Sequence, residues 1–297
     1  DVTIKTNNFT LQSRVYINML PSKETILLNL RSANRQIFNP TCIKYNKFDA
    51  HISTAKNCGT HWIKYMLSHV IARLYKLPIP EHIRDESLVG HTKTPPTYKN
   101  IPQIAITHSH PHYLMRLETI HKTLDLPKYA FVVRDIPDAL VSLYEKWHTD
   151  FPNFYNIPKS DVSFTRYLHV GAEGSGMEDI WGLIMYFNAW GDAQKACPEH
   201  VLAMRYEDWR RSPHEQLSRL CSYIGIKDIT EDIIEYAVES SSKEKMSKKL
   251  NLNEAHAAKT VNLKERKTED WYSEEDMHYV FQVLKKHLKY DFGYGYL

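Results

Sequence analysis

Three groups of side chains in this 297-residue chain have the types and spacing to act on an anion. The first is the segment Ser53-Thr54-Ala55-Lys56-Asn57-Cys58-Gly59-Thr60-His61-Trp62, which joins a strand-like run to a helical one. Such a turn gathers free backbone N–H groups and the positive end of a helix at one point, a ready site for phosphate. Gly59 lets backbone approach an anion, Thr60 adds a hydroxyl and Lys56 a mobile charge. The segment does not fit GxxxxGK[ST], so an ordinary ATP or GTP loop is disfavoured; by itself it also reads as a plain strand–turn–helix containing a glycine. The second group is Arg134, at the end of an apolar run, with Ser142 eight residues on. A guanidinium there offers a two-pronged fork to a phosphate, although Arg134 alone reads more readily as a surface ion-pair partner of Asp135 or Asp138. The third is His108, His110 and His112. A neutral imidazole can take a hydroxyl proton near neutral pH. The alternating triplet could also bind zinc from one strand face, against which Pro111 interrupts the strand and no matching Asp/His signature follows.

These residues need a scaffold, and composition limits which one. With 42% hydrophobic, 25% charged and 12% aromatic residues, the chain is neither collagen-like, disordered nor a coiled coil. It can bury a large core without disulfide or metal. A net charge of +3 is too mild for a dedicated nucleic-acid or membrane-surface protein, so anion binding must rest on local clusters. Cys42, Cys58, Cys197 and Cys221 form no CxxC pair, which fits a reducing compartment. No apolar run approaches the roughly 18 residues of a membrane span. The expected location is cytoplasmic; because the chain starts at Asp1, an upstream anchor or signal could have been removed. The sequon at Asn8 carries little weight.

Short apolar runs alternate with helical patterns. Phe48–Ser53, Ile104–Ile106, Ala130–Val133 and Val201–Met204 read as strands. Helices are expected through Ile63–Leu74, after Asp135 and Pro137, from Pro213 to a stop at Gly225, and after a Ser273/Asp276 capping box. The expected fold is α/β: a single domain with a central parallel sheet flanked by helices and a P-loop-like strand–turn–helix phosphate site. Residues 1–47 are expected to pack on the body (48–297), as a lid or part of an acceptor pocket.

The first segment resembles the 5′-phosphosulfate loop, PKSGTTW, of sulfotransferases that use 3′-phosphoadenosine 5′-phosphosulfate (PAPS). Gly59, Thr60 and Trp62 fall on its glycine, first threonine and tryptophan. The catalytic-lysine position is held by Asn57, with Lys56 one residue early, so either could serve the bridging oxygen; Lys56 is favoured by a small margin. Tyr129–Ser142 resembles the family's 3′-phosphate segment. Val201–Trp209 with Pro213 is similar to its "YEDM…P" stretch, and Ser241–Met246 to "SFKEM". Lys264–Trp271 is a weaker match to RKGxxGDW, with both glycines missing. Thr107-His108 falls on the Thr-His of "KTHLP".

The resemblance implies a cytosolic-type, small-molecule sulfotransferase fold and a residue set. Lys56, Asn57, Cys58, Gly59, Thr60, His61 and Trp62 would form the 5′ side of the nucleotide site. Arg134 and Ser142 would take the 3′-phosphate, with Arg266 and Lys267 as further charges. Trp62 and Tyr206 would hold the adenine, near Ser242 and Met246. His108 would act as base, with Lys56, Asn57 and Ser142 in the catalytic set. PAPS would be the co-substrate and 3′-phosphoadenosine 5′-phosphate (PAP) the product, with no metal. The partners implied are a small-molecule acceptor and, by family analogy, a second copy in a homodimer; neither nucleic acid nor a membrane is expected. Phe151–Tyr155 and Gly171–Asp179 are expected near the acceptor, and Glu173, Glu178 and Asp179 hint at a polar or cationic one such as an alkaloid. The alternatives are a nucleotide-binding protein without catalysis and a metal-dependent hydrolase built on the histidine triplet.

Overall fold

The computed structural model describes residues 22–45, 47–149, 162–170, 178–248 and 267–297. Helix α1 spans Lys23–Ile37. It is followed by strand β1, Ala50–Thr54, and helix α2, Thr60–Tyr75. Strand β2 is Ile104–Thr107, β3 is Lys128–Val133, and helix α3 is Ile136–Thr149. Helix α4, Ile180–Ala196, precedes β4, Val201–Arg205. Helices α5, Pro213–Tyr223, α6, Glu231–Ser240, and α7, Glu274–His287, complete the longer elements.

The four strands form one parallel sheet in the order β2-β1-β3-β4. Parallel sheets are covered on both faces, and every residue of β1 and β2 is buried accordingly. Helix α4 covers the face carrying Ser53 and Phe131: the Tyr186 hydroxyl donates to Ser53 Oγ at 3.0 Å, and Trp190 stacks on Phe131 at 5.4 Å. The opposite face, with Ile52 and Val132, shares a core with Ile63, Met66, Leu67 and Val70 of α2. From β1 the chain steps to β2 on one side and later to β3 on the other. The order therefore reverses between β1 and β3, and the crevice beyond their carboxyl ends is where α/β folds bind ligands.

The expected strands and helix stops are present, with edges moved by one to two residues. Asp135 Oδ1 accepts from the Asp138 N–H at 2.9 Å, which starts α3. At the end of α5, Gly225 N–H donates to Ser222 and Ile226 N–H to Cys221, a Schellman motif with Gly225 at φ +82°. The capping box of α7 is complete. Three of these helices, α1, α4 and α6, lie outside the sequence expectation. Helix α1, capped by Ser22, sits within the stretch read as weakly patterned. Helix α4 is buried nearly all round, and a helix with no solvent face shows no helical period to read.

Candidate functional site

The turn after β1 is built to leave donors facing outward. Asn57 and Gly59 adopt positive φ, +63° and +81°, a region that glycine and asparagine enter most readily. The Cys58 N–H closes the turn on Ala55 O at 3.2 Å, and Ile63 makes the first backbone bond into α2, to Gly59 O at 2.9 Å. The helix start thus offers N–H groups without intrahelical partners. Gly59 is required twice over: besides its φ, a Cβ there would lie 2.9 Å from Cε2 of Tyr206. The Trp62 and Tyr206 rings meet edge to face at 6.4 Å, and Met246 is buried against Trp62 in a small cluster with Tyr65 and Ile83. Ser242 starts the short helix of Met246, its hydroxyl accepting from the Lys245 N–H at 3.3 Å.

Arg134 lies beside this turn because β1 and β3 are neighbours. Its Nη1 donates to Asn57 O at 3.1 Å, its guanidinium faces the Tyr206 ring at 4.9 Å, and its Nη2 is 3.7 Å from Asp138. Its Nε is buried without a partner among the described residues, as is Asn57 Nδ2. Ser142 is buried on α3. Lys146, one turn beyond Ser142, donates from Nζ to Asn57 Oδ1 at 2.5 Å. Orphaned buried donors around a glycine cradle suit a ligand carrying several anionic oxygens.

His108 leaves the end of β2 and turns to the same crevice. Its Nδ1 lies 2.9 Å from Thr54 O. A carbonyl only accepts, so Nδ1 carries the proton and Nε2 keeps its lone pair. The loop beneath it is pinned, since Ser109 O accepts from Ser53 Oγ at 2.7 Å and Trp190 Nε1 at 3.1 Å. His108 is exposed as a residue, while the protein packed around its ring desolvates the imidazole. That desolvation outweighs the Thr54 carbonyl and, with Lys56 and Lys146 nearby, holds the imidazole below its ordinary pKa. The ring is therefore neutral at pH 7.

The other histidines go elsewhere. His110 is buried and accepts on Nε2 from Arg35 at 3.0 Å; burial, with Arg35, pushes it down to about 4. His112 uses both ring nitrogens, donating to Ile37 O and accepting from Leu114 N–H. The three rings do not converge, and among the described residues no group of three His, Cys, Asp or Glu could hold a metal. His61 is pushed down to about 3 by burial, aided by Lys64 and Arg84, and contributes no charge. The Cys58 side chain is fully buried, its thiol pushed up to about 12, and it donates within the turn to Lys56 O at 3.6 Å.

Beyond His108 lies a charged cluster. Arg35 of α1 meets Glu178 at 2.7 Å, and Lys56 approaches the other carboxylate oxygen at 3.7 Å. Burial would raise Glu178, but Arg35 and Lys56 outweigh it and keep its carboxyl below the usual range. Asp179 caps α4 through the Gly182 N–H at 2.8 Å and lies 3.7 Å from Arg31. Arg35 and Lys146 are site residues that sequence reasoning missed. The only signal for Lys146 is its i+4 spacing from Ser142, and Arg35 has none. Lys267 is exposed, and Thr268 beside it bonds Asp138. Arg266, Phe151–Tyr155 and Gly171–Met177 lie outside the described residues.

Residues 47–289 match the sulfotransferase domain family. The chain belongs to that family. Its fold agrees with other sulfotransferases: mouse sulfotransferase SULT7A1 complexed with PAP aligns with a TM-score of 0.59 at 14% identity, over 88% of this chain and 90% of that one. Retinol dehydratase, in complex with androsterone and inactive cofactor PAP, aligns at 0.54 and 16% identity, over 91% and 88%. No curated protein matches the sequence. Among the described residues of this sulfotransferase-family chain, no helix is long and apolar enough to cross a membrane.

Proposed function

We propose that this chain transfers the sulfuryl group of PAPS to a hydroxyl or amine of a small-molecule acceptor. The observation that carries the reading is the convergence, beyond β1 and β3, of three features: the Gly59 turn, Arg134 with its Nε unpartnered among the described residues, and His108 with its lone pair on Nε2. The N–H groups of Gly59 and Thr60 would hold the 5′-phosphate, Arg134 and Ser142 the 3′-phosphate, and Trp62 and Tyr206 the adenine. When bound, PAPS supplies an activated sulfuryl group. His108 Nε2 takes the acceptor proton as the acceptor attacks, while Nδ1–H to Thr54 O steadies the imidazolium that forms. Lys56 or Asn57 offers a donor to the leaving oxygen. The transferring group spreads negative charge, so fixed donors and cations do most of the work.

Of the three acidic residues that hint at a cationic acceptor, Glu178 pairs with Arg35 and Lys56 and Asp179 with Arg31, while Glu173 lies outside the described residues. Helix α1, which brings Arg35 to the site, supports a place for the N-terminal segment in the acceptor pocket. A cytoplasmic location and a homodimer follow by family analogy. A second reading, nucleotide binding without catalysis, is favoured by Asn57 at the lysine position; it predicts PAP binding with no consumption of PAPS.

Calorimetric titration with PAP tests the proposal. The wild-type protein should bind in the micromolar range and Arg134→Ala should lose at least a hundredfold in affinity. A folded wild-type protein that does not bind PAP would end the nucleotide reading.

A further inference from the structure

Beside Asn57 the turn carries a positive charge that comes from another element. Asn57 is gripped from two sides: Arg134 Nη1 donates to its backbone carbonyl at 3.1 Å and Lys146 Nζ to its side-chain oxygen at 2.5 Å. An ammonium only donates. The atom facing Lys146 must therefore be Oδ1, which turns Nδ2 to the other side. There Nδ2 is a buried donor with no partner among the described residues, a cost that a protein carries where a ligand satisfies the group. Lys146 also acts beyond Asn57, since its charge lowers the proton affinity of both His108 and His61. Lys56 is drawn the other way, towards Glu178.

We propose that Lys146 is a positioning residue of the phosphosulfate site. It locks the Asn57 amide with Nδ2 directed at the anion, and it brings from α3 the cation that the turn lacks at position 57. The proposal rests on the nucleotide reading above and assigns Asn57, held by Lys146, rather than Lys56 as the donor at the bridging end. Ser142 and Lys146 sit one turn apart on the same face of α3, so that a single helix face would serve both phosphates: Ser142 the 3′ group, Lys146 the 5′ end.

The test compares two ligands, PAP and adenosine 3′-phosphate, which lacks the 5′ group. Lys146→Met should lose tenfold or more in affinity for PAP while keeping wild-type affinity for adenosine 3′-phosphate, and Lys146→Arg should restore PAP binding to within threefold. Asn57→Asp keeps an acceptor for Lys146 but exchanges the Nδ2 donor for a carboxylate oxygen that bears negative charge. It should retain the melting temperature and lose tenfold or more for PAP alone. Unchanged PAP affinity in either Lys146→Met or Asn57→Asp overturns the proposal, as does an equal loss for both ligands, which would mark a structural role. These outcomes leave the nucleotide reading standing; it fails separately if the wild-type protein binds no PAP.

Discussion

The two sides of His108 are assembled in different ways. On the nucleotide side, Lys56 to Trp62 are consecutive, and Arg134 joins them because β1 and β3 run side by side. Neighbouring strands place consecutive segments together whatever the rest of the chain does. On the opposite side, Arg35 and Glu178 meet across 143 residues, from one helix and the start of another, with Lys56 contributed by the turn. No local pattern encodes that meeting. A site read from contiguous residues depends on backbone geometry, whereas the charged cluster depends on how α1 docks on α4. Lys56 stands between the two, in the nucleotide turn by sequence and in the charged cluster by contact.

If the sides are separable, substitutions on one should leave the other intact. The largest effect is expected at the junction: His108→Ala should reduce turnover of PAPS by about 10²–10⁴-fold with PAP affinity within threefold of wild type. Turnover within tenfold of wild type would remove the base from the mechanism. Next comes Glu178→Gln, which keeps the side-chain volume but leaves Arg35 and Lys56 facing a neutral amide. Losing hydrogen bonds to a charged group should cost about 1–3 kcal/mol, seen as a melting temperature lower by several degrees. PAP affinity should hold or improve, because Lys56 is released from its carboxylate. A loss of PAP binding would show that the two sides are one unit.

A third expected effect is that of pH. His110 and His61 are both depressed, to about 4 and about 3, against an ordinary value near 6.5. The unfolded chain therefore binds more protons than the folded one between those limits. The stability these rings contribute is complete above about pH 6.5 and is lost as pH falls towards 4, by at most about 1.4 kcal/mol per pH unit for each ring. Thermal melts from pH 7 to pH 5 should show the decline, and His110→Phe should lessen it. Because His108 is also held low, the acid limb of the turnover profile should lie below pH 6.5.

Much of the fold was legible because its signals are local. Apolar runs mark the strands of a buried sheet, Asp135 and Ser273 start helices, and Gly225 stops one. Helix α4 was not legible: its residues are apolar on nearly every side, so no period distinguishes it. The family's landmarks, from Gly59 to Tyr206, could be named in order since each is a short stretch whose chemistry needs only its own strand end or helix start.

By itself the sequence determined the α/β layering, the donor-rich turn and the residues that end each strand, all consequences of period, turn chemistry and covalent neighbourhood. Only the tertiary structure decided how the charges are shared. It set the three histidines to three separate tasks, paired the two acidic residues at the start of α4 with arginines and Lys56, and brought Lys146 onto Asn57. Those outcomes depend on distances between elements far apart in the chain, and electrostatic energies change steeply over a few ångströms. Residue types alone therefore do not tell which cation meets which anion.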